Sequence, residues 1–175
     1  MDKIFRVNMT NLTSTVEEVP EAWLGLGGRA LTSTIVATEV DPECHPLGQF
    51  NKLVFAPGLL SGTAAAQSGR MSCGAKSPLT GGIKESNAGG TTAQQFARMG
   101  IKAMIIEGMP KEDKFYSLHI TKDGVTIAEE SELLGAGNFS VIDAMVEKYD
   151  KKIGVMTIGI AGELKMASAN ISVKD

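Results

Sequence analysis

The chain has 175 residues, 43% hydrophobic and 21% charged, a balance that excludes a disordered segment and supplies enough apolar surface for one sizeable core. Seventeen Lys and Arg against twenty Asp and Glu leave a net charge of −3, so no basic field invites nucleic acid. No apolar run approaches the roughly 18 residues of a membrane span. Met1–Arg6 holds no continuous apolar leader core, so a cytoplasmic protein without membrane attachment is expected. Cys44 and Cys73 are the only cysteines, too few for a self-contained cysteine-ligated iron–sulfur cluster or a cysteine-rich zinc module.

Alternation over Lys3–Met9 and Ser14–Val19 predicts a β-hairpin. Pro20–Leu24 follows as a helical turn, with proline near its start. Arg29–Val40 reads as a helix burying Leu31, Ile35 and Val36, stopped by Asp41-Pro42. Lys52–Ala56 is a short apolar strand that ends at Pro57-Gly58. The segment Gly58–Gly90 reads as loop. Thr91–Met99 is a helix capped by Gly100, and Ile101–Ile106 a buried-type strand. Phe115–Ile120 and Val125–Glu129 flank Lys122-Asp123-Gly124, a strong hairpin turn. Ser140–Tyr149 is helical, and Ile153–Ile158 and Ala167–Val173 are strands. Hairpin, helix and strand therefore follow one another near residues 3–57 and again near 115–159. The expected class is α+β, with mixed or antiparallel sheets, helices and two related hairpin–helix–strand halves in one domain over residues 1–175.

Several motifs fail on their mechanics. Gly25-Leu26-Gly27-Gly28-Arg29-Ala30 fits a dinucleotide pattern but follows a helical turn, not the strand that pattern needs. Gly69–Ser77 is one residue off a phosphate-binding P-loop, because Ala75 displaces Lys76. Cys44-His45 and His119 are not positioned by sequence adjacency to act as ligands or nucleophiles. The carboxylates at 17–21 and 129–132 read as solvated surface.

Glycine numbers 20 while aromatics are only 5%, and the glycines cluster. Between Gly58 and Gly90 there is no Phe, Tyr or Trp, and the only charges are Arg70, Lys76, Lys84 and Glu85. Glycine permits close backbone approach and positive φ at an entropic cost, so this ribbon is either moulded to a broad polar ligand or is a long connection packed on another domain. Gly89-Gly90, just before a helix, would present amides to phosphate. Arg70 offers a planar fork for phosphate or a heterocycle edge.

In this order, Phe5-Arg6-Val7-Asn8, Gly27-Gly28-Arg29, Pro57–Thr63, Ser68-Gly69-Arg70, Lys76–Gly81, Glu85–Gly90, Ile105–Gly108 and Ile158–Glu163 resemble the N-terminal domain of the aldehyde ferredoxin oxidoreductases. The likeness spans essentially the whole chain. It implies a saddle of related sheets that holds a tungsten or molybdenum bis-molybdopterin. Arg70 then matches the arginine linking the pterin to a [4Fe–4S] cluster. Asn87 matches the residue near an Mg2+ that bridges the pterin phosphates, and Gly89 a pterin-contacting backbone position, with Ala88 and Gly90 beside it. The resemblance implies oxidation of aldehydes to carboxylic acids, with electrons leaving through the cluster to ferredoxin. The cluster cysteines, the substrate channel and every catalytic residue would lie outside this chain, in missing C-terminal domains or a partner subunit, and the chain alone would be inactive. The alternative is a non-catalytic interaction module or the small subunit of a split oxidoreductase that has lost the cofactor. A bare ribbon would also favour homo-oligomers.

Overall fold

A computed structural model describes residues 2–166 and 169–174. Its centre is a six-stranded mixed sheet in the order β2-β1-β6-β3-β4-β5. These are β1 (Lys3–Asn8), β2 (Thr13–Glu18), β3 (Lys52–Pro57), β4 (Arg70–Lys76), β5 (Ile83–Gly89) and β6 (Ile101–Glu107). Only β1 and β6 run parallel; the other pairings are antiparallel. Between β2 and β3 lie a 3-10 turn at Glu21–Trp23 and helix α1 (Gly28–Glu39), and α2 (Thr91–Arg98) joins β5 to β6. The remainder comprises a second hairpin, β7 (Phe115–Thr121) with β8 (Gly124–Glu130), then α3 (Asn138–Lys148), β9 (Met156–Thr157), α4 (Gly159–Glu163) and β10 (Ser172–Val173). The succession β1–β2–α1–β3 recurs as β7–β8–α3–β9, although the second set builds only two-stranded sheets.

The central strands are apolar on both faces because both faces are covered. Alternate residues Ile4, Val54, Ala56, Ala103 and Ile105 meet Leu31, Ile35 and Val36 of α1, at the helical spacing expected of that segment. The intervening residues Phe5, Val7, Phe55, Met71 and Met104 form a second core with Ala93 and Phe96 of α2, and the β7–β8 hairpin packs Leu118, Ile120, Val125 and Ile127 against it. Leu31 and Ile35 are fully buried, each worth about 1.5–3 kcal/mol of transfer free energy.

Three expectations need correcting. Residues 58–90 are not one loop, since β4 and β5 form a hairpin within them. Their Ser, Gly, Ala and Cys residues mask the strand pattern, and packing requires those small residues. A Cβ at Gly74 would stand 2.7 Å from Cβ of Thr32 on α1, so the helix approaches β4 this closely only over glycine. The strand expected over 153–158 shrinks to Met156–Thr157, paired with Ser172–Val173. Of the strand expected over 167–173, Ala167 and Ser168 lie outside the described residues. The carboxylates at 17–21 are not all free surface, because Glu17 pairs with Arg6 at 2.9 Å.

Candidate functional site

In an antiparallel ladder, directly opposed residues share a face. The register Arg70↔Gly89, Ser72↔Asn87 and Gly74↔Glu85 therefore sets Arg70, Asn87, Glu85 and Gly89 on the side of the sheet that α1 covers. The first turn of α1 ends beside them, and Nε of Arg29 donates to Oε2 of Glu85 at 2.9 Å across 56 residues of sequence. Nδ2 of Asn87 donates to Oε1 of the same carboxylate at 3.3 Å. Burial alone would raise the Glu85 carboxyl, but hydrogen bonds from Ser72, Asn87 and Arg29 outweigh it and hold the group below the usual carboxylate range.

Arg70 is exposed and extends over its cross-strand neighbour. A Cβ at Gly89 would stand 3.8 Å from Nη1 and 3.9 Å from Cζ of the guanidinium. The salt bridges among the described residues use Arg6, Arg29, Lys52, Lys114 and Lys165, and not Arg70. Two arginines against one carboxylate leave this corner positive. Beyond Gly89 the chain turns into α2 through Gly90 at φ 113°, a conformation strained for any residue with a side chain, and no side chain caps the helix. The loop above is braced on α2: Gly62 N–H donates to Oε1 of Gln94, whose Nε2 donates to Oγ of Ser68 at 3.1 Å. A hollow of about 270 Å3 lies between this loop and the sheet end, lined by Pro57, Gly58, Gly62 and Lys102 among others.

Among the residues singled out in sequence, Arg70, Asn87, Gly89 and Gly90 come together. Ala88 does not, since it opposes Met71 and turns toward the second core. Lys76 also turns inward. It is 8% exposed, its ammonium donating to the carbonyls of Pro42 and Cys44, so it anchors the turn after α1. Cys44 joins the first core, while Cys73 packs against the second, where burial and then Glu85 push its thiol up to about 11 and leave it unreactive at neutral pH. His119 stacks on Tyr149 with ring centroids 4.6 Å apart. Another hollow, of about 580 Å3, opens at the far end of α1, where Glu39 and Glu107 already hold Arg6 and Lys52. Arg29, Ser72 and Glu85 escaped the sequence reading. The available signal was that Glu85 is the ribbon's lone carboxylate, two positions before Asn87 on what proves to be a strand.

The family model for the N-terminal domain of aldehyde ferredoxin oxidoreductase matches residues 4–175. The chain belongs to the aldehyde ferredoxin oxidoreductase family. It is 37% identical over 174 residues to the tungsten-containing aldehyde ferredoxin oxidoreductase of Pyrococcus abyssi, covering 97% of this chain and 28% of that protein. The enzyme of the same description from Thermococcus kodakarensis is 35% identical over 92% of this chain and 27% of its own length. Among solved structures, the active-site complex BamBC of benzoyl coenzyme A reductase, in complex with 1,5-dienoyl-CoA, superposes with a TM-score of 0.90 at 28% identity. That match covers 98% of this chain and 26% of the other. The chain thus spans about 28% of the curated family relatives it matches. Among the described residues, no group of three His, Cys, Asp or Glu could hold a metal ion, and no helix is long and apolar enough to cross a membrane.

Proposed function

We propose that this chain is the pterin-cofactor-binding domain of a tungsten or molybdenum oxidoreductase of the aldehyde ferredoxin oxidoreductase family. The observation that carries the reading is Arg70, an exposed guanidinium free of salt bridges among the described residues, laid over a residue without a side chain and next to an uncapped helix start. A phosphorylated, planar, anionic group fits that arrangement. The guanidinium supplies a bidentate fork, the hydrogen atoms of Gly89 let a ring approach the strand, and the amides after Gly90 face anions. Asn87 suits a hard cation between phosphates: its amino group is already directed to Glu85, which leaves Oδ1 as an oxygen ligand.

In this reading Arg70, Asn87, Gly89 and Gly90 hold the cofactor, while Ala88 contributes only main chain. When bound, the metallopterin supplies the two-electron chemistry of aldehyde oxidation, and this chain binds and orients it. The substrate channel, the [4Fe–4S] cluster and the contact with ferredoxin belong to further domains or a partner subunit, so the chain alone does not turn over. The relatives carry this domain under the names of both aldehyde oxidoreductases and a benzoyl coenzyme A reductase, which favours a cofactor-holding part that leaves substrate choice to the rest of the enzyme. Cytoplasmic residence belongs to the same proposal and agrees with two unpaired cysteines.

The test is made on the full-length polypeptide or the complex purified with it. Elemental analysis is expected to return tungsten or molybdenum with pterin in stoichiometric amount, and Arg70→Ala should lower retained pterin and slow electron transfer out of the metal centre. A wild-type protein devoid of both metal and pterin refutes the proposal. Aldehyde oxidation by residues 1–175 without any other polypeptide refutes the division of labour.

A further inference from the structure

The loop between β3 and β4 is held down almost without apolar contact. Among the described residues, none of 58–69 belongs to either core. Leu59 and Leu60 face solvent, the tip Thr63–Gln67 is exposed, and the one buried member is a serine. What orders the segment is hydrogen bonding. Ser61 N–H donates to the carbonyl of Gly58 at 2.9 Å, Thr63 N–H to that of Leu60 at 3.3 Å, and Arg70 N–H to that of Ser68 at 2.9 Å. The hydroxyl of Ser61 crosses the loop to the carbonyl of Ser68 at 2.6 Å. A compact loop of this kind, with few buried apolar contacts, opens locally at low cost while the body of the domain stays folded.

Its hydrogen bonds to α2, among the described residues, both end on one side chain. Gly62 N–H donates to Oε1 of Gln94, and Nε2 of Gln94 donates to Oγ of Ser68 at 3.1 Å. A primary amide offers an acceptor and a donor at once, so Gln94 grips the loop on both of its arms. Glycines make two further touching points: a Cβ at Gly62 would stand 2.8 Å from Cβ of Ala97, and one at Gly69 would collide with the carbonyl oxygen of Gly90. Such points let the loop lie flat on the helix without interlocking with it. The hollow of about 270 Å3 has Leu59, Ser61 and Thr63 on the loop's side and Ala97, Ile101 and Lys102 on the other. We propose that residues 58–69 form a strap that opens as one cooperative unit, with Gln94 as its latch, and that the hollow it covers opens with it. The motion belongs to the fold and does not depend on what binds at Arg70.

The experiment uses the full-length polypeptide or its purified complex and follows hydrogen exchange, resolved to single amides by fragmentation in the mass spectrometer. The informative amides are Ser61, Thr63 and Arg70, none of which bonds to Gln94. One hydrogen bond shifts an opening equilibrium about fivefold. Gln94→Ala removes two and should speed exchange at all three amides by about 20-fold. Alanine is the better helix former, so the amides of β4 beyond Arg70 and of the last turn of α2 should keep their wild-type rates. Ser68→Ala removes the second bond alone and should give about fivefold; added to Gln94→Ala it should change nothing further, since both act through one side chain. Acceleration confined to the Gly62 amide, which loses its own partner, would reduce Gln94 to a local contact and overturn the proposal. Equal acceleration in β4 and α2 would do the same, because the loop would then open only with the whole domain, and so would wild-type rates throughout. If Gln94→Ala does not fold, Ser68→Ala decides alone: faster exchange at the three amides supports the strap, and wild-type rates there overturn it.

Discussion

The two ends of α1 carry polar clusters of opposite character. At its C-terminal end, Arg6 reaches Glu17 and Glu39 at 2.9 Å and Glu107 at 3.1 Å, while Lys52 holds Glu39 at 2.7 Å and Glu107 at 2.8 Å. Every one of those charges has a partner, and Lys52 and Glu107 are directly opposed in the β3–β6 ladder. At the N-terminal end, Arg29 and Glu85 pair, yet Arg70 stands exposed over glycine. A closed network of ion pairs consolidates the fold, whereas an uncommitted guanidinium among small residues leaves room for a ligand. The larger of these two hollows sits at the closed end, so cavity volume alone would point away from the proposed site.

The comparison breaks first at Arg6. Hydrogen bonding to Glu39 outweighs burial and raises its guanidinium further above its already high ordinary value, so it stays charged throughout. Arg6→Ala would leave Glu17 without its partner and Glu39 and Glu107 to share Lys52, and removing one partner of such a cluster costs about 3 kcal/mol. Urea unfolding of the chain should show that loss, and a shift below about 0.5 kcal/mol would mean that the network is surface decoration. Next in size is Gly74→Ala, which forces a methyl against Thr32 at 2.7 Å. Overpacking of this kind costs about 1–3 kcal/mol, and an unchanged urea midpoint would show that α1 is not seated on β4 as described.

Acid should weaken the same closed end. Burial pushes the Glu39 carboxyl up, but hydrogen bonds from Arg6 and Lys52 prevail and hold it below its ordinary value. A group lowered on folding adds stability that is present above its unfolded pKa and lost as pH falls through its folded one. Lys52 acts in the opposite sense: burial lowers it, the bonds to Glu107 and Glu39 raise it above its ordinary value, and its share is lost only as pH climbs through that raised value. The network therefore contributes fully from above the carboxylate range up to the ordinary lysine range. Urea midpoints measured from pH 7 down to 3 should fall in wild type and fall less in Glu39→Gln. Parallel curves for the two proteins would remove Glu39 from the account.

Much of this architecture was legible in the chain, and the parts that were not share a cause. The helical spacing of Leu31, Ile35 and Val36 and the Asp123-Gly124 turn are local signals, and the structure follows them. β4 and β5 are not local in that sense. Their residues are small because α1 lies close above them, so the alternation that marks a half-buried strand is absent, and glycines demanded by packing looked like glycines kept for a ligand. The role of Lys76 was not legible either: the sequence offered only a failed P-loop register there, and the fold turns its ammonium onto the carbonyls of Pro42 and Cys44. Family likeness singled out Arg70, Asn87 and Gly89 along the sequence. The Arg29–Glu85 bond that organises their neighbourhood joins segments 56 residues apart, and no spacing rule reaches across that distance.

The smallest expected effect on the fold separates the two ends most sharply. Arg70 is exposed and forms no salt bridge among the described residues, so Arg70→Ala should move the urea midpoint of the chain by no more than about 0.5 kcal/mol. Arg70→Lys should be equally silent, since it keeps the charge and loses only the planar fork. A substitution this mild in the isolated fold, set beside a large loss of retained pterin in the full-length protein, is the signature of a residue kept for a ligand. A destabilisation of several kcal/mol would instead place Arg70 with Arg6, as part of the structure, because only an arginine with unseen partners in the fold could cost that much. If the proposed function holds, the two arginines, one beside each end of α1, should exchange their ranks between the two measurements: Arg6→Ala is expected to lower stability and leave the cofactor content of folded molecules unchanged, and Arg70→Ala to do the reverse.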